Sequence, residues 1–553
     1  AAYAAVRTDV RDARTGVSPL RESYAQPLGV LMAIAALVLF ITSVNLANLL
    51  LARAVARQPE FALSLALGGS RGRVVQQVFT ECLLLAALGS VAALGVAQLV
   101  SRSLMPLLST AVDPVFLDLT LDWRVFGLTA AVAVVTTLAF GTAPALAASR
   151  AGVLRPGARG ATTTRHALTL RRGLVAVQVA VTLALVAASL VLGRSFRNLA
   201  TEDLGVVTDG VVIANVFFPA AGYPPEKRSL AYADLDERLR ALPGVTGLAE
   251  AFTTPIGGSF SDRQVRVDGG VAGTTYVNWV SAGYFDALGT PLVAGRDFDA
   301  RDTPGSPRVA IVNEAFAAAY LGPAPLGRRF GTLNAANTPD SEFEVVGVVR
   351  NQKYLLIREP FPPIFYPASS QESPGLTRRY VVRSDGPPQR TTASIGALLA
   401  QVDPTISVRY APLSTQVSEA LLQDRLTARL AELFGLVALL LAVVGLYGVV
   451  SYSVTTRRAE IGVRMALGAT RGRILSMVLG DVGRVVAAGL IAGSVLAFGA
   501  TQAIGSLLYE VEPHDPGLLA LSAGILAAAG ALAAAWPARA AAGADPLSTL
   551  RES

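Results

Sequence analysis

The sequence predicts a polytopic α-helical membrane protein of seven spans with an α/β domain inserted on one side of the membrane. Three observations lead there. Of 553 residues, 52% are hydrophobic and 16% charged, against roughly 25% charged in an ordinary soluble domain. Seven runs of 20 or more residues contain no Asp, Glu, Lys, Arg or His. One long polar stretch, Arg194 to Glu432, separates the fourth run from the fifth.

The runs are Leu28–Ala52, Cys82–Ser101, Val125–Ser149, Gly173–Gly193, Leu433–Thr456, Val485–Tyr509 and Gly517–Ala538. A helix of about 20 apolar residues crosses a bilayer because it satisfies its own backbone hydrogen bonds. Arginine placement orients them. With residues 1–27 outside, the inner short segments hold 18 arginines and the outer ones six, which is the bias expected of cytoplasmic loops. The polar insertion then lies outside the cytoplasm. Its expected elements are strands at Val211–Phe217, Val265–Asp268, Thr275–Val280, Val309–Val312, Glu344–Val349 and Tyr380–Arg383, and helices at Glu226–Leu242, Asn313–Leu321 and Thr392–Gln401.

Composition removes several chemistries. One cysteine, Cys82, and two histidines, His166 and His514, can build neither a Cys/His zinc site of the usual spacing nor a disulfide framework. All but two of the 47 basic residues are arginine, and neither Lys227 nor Lys353 sits in G-x-x-x-x-G-K-[ST]. A P-loop needs that lysine on the β/γ-phosphates, so the chain is not expected to be an enzyme by itself, to bind metal, or to bind a cofactor directly. The arginines lie beside apolar runs rather than in one basic stripe, so nucleic acid is not expected. Asp297, Asp299, Asp302 and Glu314 form neither a calcium loop nor a catalytic pair and read as loop acids. Tyr284, Phe285 and Phe316 read as packing residues. Asn45, Asn48, Gln178 and Gln502 are polar residues within the spans or runs, explained by interhelical hydrogen bonds. Gly89, Gly95, Gly445 and Gly448 suit close helix packing or bending.

An internal repeat is the most informative signal. Residues 57–73 read RQPEFALSLALGGSRGR and residues 457–473 read RRAEIGVRMALGATRGR, with eight of 17 positions identical at an offset of 400. Each copy lies between two spans on the inner side. In the second copy Glu460 is placed to pair with Arg457 and Arg464 along one helical face. Ile461 and Met465 share another face, Gly468 stops the helix, and Thr470 is positioned to cap the next one. The element reads as a short amphipathic helix, either an interfacial anchor or a docking element. Its recurrence favours docking.

At Arg457–Ala469 the chain resembles the FtsX/MacB-type permeases of ABC transporters, whose element reads R-x-x-E-I-G-[VI]-R-[RM]-A-[LI]-G-A. In the insertion, Val280-Ser-Ala-Gly-Tyr-Phe, Leu292-Val-Ala-Gly-Arg-Asp-Phe, Val309-Ala-Ile-Val-Asn-Glu-Ala-Phe, Pro325-Leu-Gly-Arg-Arg-Phe and Val345-Val-Gly-Val-Val look like the MacB-type periplasmic core domain. The layout is similar to duplicated acidobacterial-type permeases. The resemblance implies residues 1–27 as the remnant of a first periplasmic domain in an N-terminally shortened chain, and 28–149 as a first three-span module. It further implies 150–172 as a basic linker, 173–193 as a span, 194–432 as the periplasmic core domain, 433–541 as a second module and 542–553 as a tail. It also implies that a separate cytoplasmic ABC ATPase, in two copies, docks beneath the repeats and supplies ATP hydrolysis. The docking residues carried over are Arg457, Glu460, Ile461, Gly462, Arg464, Ala466, Leu467 and Gly468, and in the first copy Arg57, Glu60, Ala66, Leu67 and Gly68. Pro59, Ala62 and Ser64 depart from the motif. Membrane lipid and a periplasmic adaptor or envelope protein are the other expected partners, and the bacterial inner membrane the expected location. The two implied functions are export or extraction of a substrate and ATPase-driven regulation of an envelope protein.

Overall fold

The computed structural model describes residues 19–56, 60, 70–108, 127, 131, 135, 161–219, 222–333, 338–373 and 375–542. The described chain begins with three long helices, α1 (Pro19–Ala56), α2 (Arg71–Leu108) and α3 (Ala161–Ala200). Pro27 lies inside α1, yet the apolar segment Ala25–Asn48 is long enough to span. In α2 the apolar part, Ala87–Leu99, is shorter than a full crossing. The run Val125–Ser149 lies outside the described residues except for helical positions 127, 131 and 135. Five helices are thus long and apolar enough to cross a membrane among the described residues, where seven runs are expected from sequence.

The insertion follows as a mixed α/β domain: β1 (Val211–Phe217), α4 (Pro225–Arg240), β2 (Val245–Glu250), β3 (Asp262–Val267), β4 (Gly270–Val277), β5 (Leu292–Gly295), β6 (Val309–Asn313), β7 (Arg329–Leu333), β8 (Pro339–Val349), β9 (Ile364–Pro367), β10 (Thr377–Ser384), α5 (Pro388–Val402), β11 (Ser407–Pro412) and α6 (Leu413–Ala420). Strands β11-β1-β10-β2 form an antiparallel sheet. Strands β5-β8-β6-β9-β4-β3-β7 form a second, and β7 pairs back onto β8. Six of these strands therefore close into a ring, with β5 on the outside of β8. The residues expected as strand appear within strands, apart from Asp268 and Asn278–Val280. Asp268 and Gly269, with φ of +50° and +81°, make the two-residue turn between β3 and β4, the geometry that an Asp-Gly pair supplies at least cost. The segment expected as one helix over Asn313–Leu321 is a short α turn, Glu314–Phe316, continued as a π turn, Ala317–Leu321.

Strand alternation explains the layers, because successive side chains point to opposite faces. Val211 and Ile213 of β1 enter a core with Ile311, Tyr366 and Val381 between the sheets. Ala214 and Val216 face the other way, against Leu235 and Leu239 of α4 and Ile395 and Leu399 of α5. In β6, Ala310 and Val312 join Phe316, Phe330, Phe343 and Phe365 inside the ring. Tyr284, Phe285 and Phe316 are buried packing residues, as expected.

Helices α7 (Leu422–Thr456), α8 (Arg458–Ala466), α9 (Arg471–Ala503) and α10 (Pro516–Ala542) are the last described elements. The α9 crossing begins well before the charge-free run at Val485, so Asp481 and Arg484 lie within it, and the helix stops at Ala503 rather than Tyr509. The described membrane helices form one unit and Leu199–Leu422 is the body of the other. Within the membrane unit α3 is the central described helix, with 78% of its apolar window buried against 33% or less in the others. Glycines make that possible. A Cβ at Gly493 would lie 2.9 Å from the Ala180 Cα, and one at Gly489 would lie 2.6 Å from the Val179 Cβ. Gly489 and Gly493 form a G-x-x-x-G face on α9 that lets its backbone approach α3. Gly445 also sits at a close contact, whereas a Cβ at Gly89 or Gly95 meets nothing within 4 Å among the described residues.

Candidate functional site

The second repeat folds as α8, a helix of nine residues held between the end of α7 and the start of α9. Ile461 is buried and packs with Val454 of α7 and Ile474 of α9, while Met465 lines the same cluster. The helix ends as the sequence expects. Gly468 has φ of +93°; its N–H donates to the Met465 carbonyl and the Ala469 N–H to the Arg464 carbonyl, both at 3.0 Å. These two bonds are the Schellman pattern, which needs a left-handed residue that glycine adopts without strain. Gly462 is buried, whereas Glu460, Val463, Arg464, Ala466 and Leu467 are exposed. Val463 and Leu467, four apart, put two apolar side chains on one outward face, and Leu467 is 83% exposed.

Two expectations about charge and capping need correction. Arg464 pairs with Glu460 at 2.6 Å, as expected. Arg457 instead pairs with Asp481 of α9 at 2.9 Å. It stands at the N-cap of α8 with non-helical dihedrals, where its side chain reaches back to α9 rather than along the α8 face. Thr470 occupies the N-cap of α9 but its hydroxyl caps nothing; its carbonyl accepts from the Arg473 and Ile474 N–H groups at 3.0 and 3.2 Å. In the first repeat Ser70 does cap, with Oγ accepting from the Arg73 N–H at 3.3 Å. Glu60 is helical and exposed there, and Arg57, Ala66, Leu67 and Gly68 lie outside the described residues.

Sequence reasoning missed Asp481. Its carboxylate receives Arg457, Arg172 of α3 at 3.3 Å, and Arg484 one turn on in α9. A single acid thus ties α3, the α7–α8 junction and α9 together at one end of the bundle. The signal was present: Asp481 lies eight residues past the repeat and four before the charge-free run.

A polar seam crosses the interior of the membrane unit. Asn45 Nδ2 of α1 and Gln178 Nε2 of α3 both donate to the Leu441 carbonyl of α7, at 2.7 and 3.0 Å. Gly445 makes room, since a Cβ there would approach Asn45 Oδ1 and Gln178 Oε1 far inside contact distance. The expectation of interhelical hydrogen bonds therefore holds for Asn45 and Gln178. Asn48 contributes its backbone carbonyl to Arg171 at 2.9 Å, while both of its own amide atoms, Asn45 Oδ1, Gln178 Oε1 and Thr182 Oγ1 are buried without a partner among the described residues. Gln502 is exposed.

In the domain, the acids serve the fold. Asp302 is almost wholly buried and takes two hydrogen bonds from Arg296, at 2.8 and 2.9 Å. Those bonds hold its carboxyl below the usual carboxylate range. Asp299 pairs with Arg301, and Asp297 accepts from the Gly283 and Phe298 N–H groups. Glu314 Oε2 accepts from the Asn351 N–H at 3.3 Å. Loop acids are thus the right reading for Asp297 and Asp299, while Asp302 is a buried ion-pair member. No group of three or more His, Cys, Asp or Glu could hold a metal ion among the described residues.

Comparison with known proteins fits this arrangement. Residues 173–427 match the MacB-like periplasmic core domain, and residues 32–153 and 432–546 match the FtsX-like permease C-terminal domain. The chain belongs to the FtsX/MacB-type permeases. It is similar to the macrolide export ATP-binding/permease protein MacB of Marinobacter nauticus, 24% identical over 73% of this chain and 61% of that protein. The MacB of Bordetella avium is 26% identical over 69% of this chain and 58% of its own length. The chain thus spans about three fifths of the length of these curated relatives. Among solved structures, the periplasmic region of MacB from Actinobacillus actinomycetemcomitans aligns with 38% of this chain and 92% of its own, at 17% identity and a TM-score of 0.27. This FtsX/MacB-type permease is a multi-pass membrane protein with an extracytoplasmic domain.

Proposed function

We propose that the chain is the permease subunit of an ABC export system in the bacterial cytoplasmic membrane. In this reading a separate cytoplasmic ATPase docks on α8 and on the matching element of the first repeat, and carries out all ATP hydrolysis. The observation that carries the reading is the build of α8. Its inward face is fixed by Ile461, its end by the Gly468 stop, and its outward face offers Val463 and Leu467 beside the Glu460–Arg464 pair. Rigid support under an exposed apolar pair with a charged rim suits a protein partner better than a lipid anchor, because an interface needs a desolvated centre and a polar border. The names of the curated relatives, which join ATP-binding and permease parts, support the same partner class.

Movement of α8 would be passed to α7 through Val454 and to α9 through Ile474 and the Arg457–Asp481 pair. α7 runs without interruption from the end of the extracytoplasmic domain to α8, so a displacement at one end of the crossing reaches the domain as work on a substrate there. The test is co-purification with an ABC ATPase encoded beside the permease, before and after Glu460→Lys and Arg464→Glu. Recovery should fall at least about tenfold for either variant, equivalent to about 1.4 kcal/mol. If the wild-type chain recovers no ATPase, the docking reading fails.

A further inference from the structure

At the end of the bundle that carries α8, a groove opens between α3, α7 and α9. It is open to the exterior, and Leu446, Val449, Val450, Val478, Val482 and Val485 form its apolar wall. Arg171, Arg172, Arg457 and Asp481 line it at the α8 end.

Among the described residues the charge there does not balance. Arg172, Arg457 and Arg484 share one carboxylate, that of Asp481. Arg171 is 4% exposed, donates to the Asn48 carbonyl, and lies with its guanidinium carbon 4.0 Å from the centre of the Tyr452 ring. Its Nε is buried with no partner among the described residues. Among the described residues, then, three guanidinium groups share one acid and a fourth, that of Arg171, lies beside them with no acid of its own. An arginine that only anchored the bundle at the membrane surface would extend its head into water, which Arg171 does not do. Arginine forks match phosphate oxygens well, and basic pockets between membrane helices on the cytoplasmic side suit anionic headgroups.

We propose that this groove binds an anionic phospholipid, with the headgroup phosphate held by Arg171, Arg172 and Arg457 and an acyl chain lying along Val449, Val450 and Val482. The apolar wall next to the guanidinium groups is what favours a phospholipid over a soluble phosphate, which would leave it uncovered. Asp481 competes with the headgroup for Arg172 and Arg457, so the lipid loosens the tie between α3 and α9 as it binds. The site shares Arg457 and Asp481 with the path by which α8 is coupled to α9, but lipid retention is read without an ATPase present, so its failure and that of the docking reading are distinguishable.

The full chain, purified in mild detergent, is mixed with phosphatidylglycerol, with phosphatidylcholine of the same acyl chains, or with inorganic phosphate, and bound lipid is counted by native mass spectrometry. Phosphatidylglycerol should be retained at least about fivefold over phosphatidylcholine, the worth of about one arginine near an anionic surface. Arg172→Gln with Arg457→Gln should abolish that preference, and Val449→Trp should reduce retention by filling the groove with every arginine in place. Asp481→Asn should raise phosphatidylglycerol retention, because it frees two guanidinium groups. Equal retention of both lipids by the wild type would overturn the proposal. So would unchanged preference in Val449→Trp, or a fall in Asp481→Asn, which would make the arginine cluster purely structural. Displacement of the lipid by millimolar inorganic phosphate would assign the site to soluble phosphate instead.

Discussion

Asn313 and Asn45 are both buried asparagines, one in the extracytoplasmic domain and one in the membrane unit, and they are treated very differently. Asn313 Oδ1 accepts from the Phe316 and Ile364 N–H groups at 2.9 Å each, and its Nδ2 donates to the Pro362 carbonyl at 2.7 Å. Asn45 makes one bond, to a carbonyl that Gln178 shares, and leaves Oδ1 without a partner among the described residues. Asn313 thus ties β6, the following turn and β9 into one arrangement. The Asn45 seam has more polar atoms than matched partners and so admits several arrangements of similar energy. Fully satisfied polar groups rigidify a core, whereas partly satisfied ones do not. By this measure the packing around Asn313 is the more tightly determined of the two, and the junction of α1, α3 and α7 the less.

Asn313→Ala should break the domain side of this contrast most severely. Two N–H groups and a carbonyl would lose their partner in a site with no exposure, costing about 3 kcal/mol or more, seen as early thermal unfolding and lost hydrogen-exchange protection in β6 and β9. Gly493→Leu comes next. Its side chain would be driven into the backbone of α3, at about 2 kcal/mol, and the purified chain should lose helical signal at lower temperature.

Asp302→Asn should cost about 1–2 kcal/mol, discounted because Arg296 is a third exposed. Its pH dependence has a defined sign. The folded carboxyl titrates below its unfolded value, so the stabilisation is complete above the unfolded value of about 3.9 and lost as pH falls through the folded one. Wild-type denaturation midpoints should drop below about pH 4, and the variant should lack that part of the drop. The smallest effect on stability is expected in the seam. Asn45→Ala should cost less than about 1 kcal/mol, the usual scale of an interhelical hydrogen bond in a bilayer, while shifting the ATP dependence of any partner ATPase. A cost as large as that of Asn313→Ala would erase the contrast between the two regions.

The span pattern was legible because bilayer crossing imposes one demand, an uncharged run, that five described helices meet. Where the demand ends, so did legibility. Nothing in the apolar run after Val485 marks where α9 begins, because a membrane helix continues into the interfacial region as readily as any other helix. In the domain, Val211–Phe217, apolar but for Asn215, and Val309–Val312, apolar throughout, announced themselves by their composition, since both faces of those strands are largely buried. Arg329–Leu333 and Ser407–Pro412 did not, because they alternate or carry charge and gain their pairing from distant strands. The α8 element was read from the repeat, and its stop from Gly468. Arg457 was misassigned because spacing along one helix cannot reveal an acid 24 residues away on the next. Asn45 and Gln178 were identified as hydrogen-bonding residues, but their common acceptor was not, for a backbone carbonyl leaves no mark in a sequence.

The ring closed by β7 on β8 has a mechanical consequence. A flat sheet pulled at one margin can peel, breaking its ladder bonds one after another. A closed ring has no margin from which to peel, so a tug delivered to one strand loads its two neighbours at once and passes around the circle. If the proposed coupling loads this domain, a hoop spreads that load over six strands instead of leaving it on one.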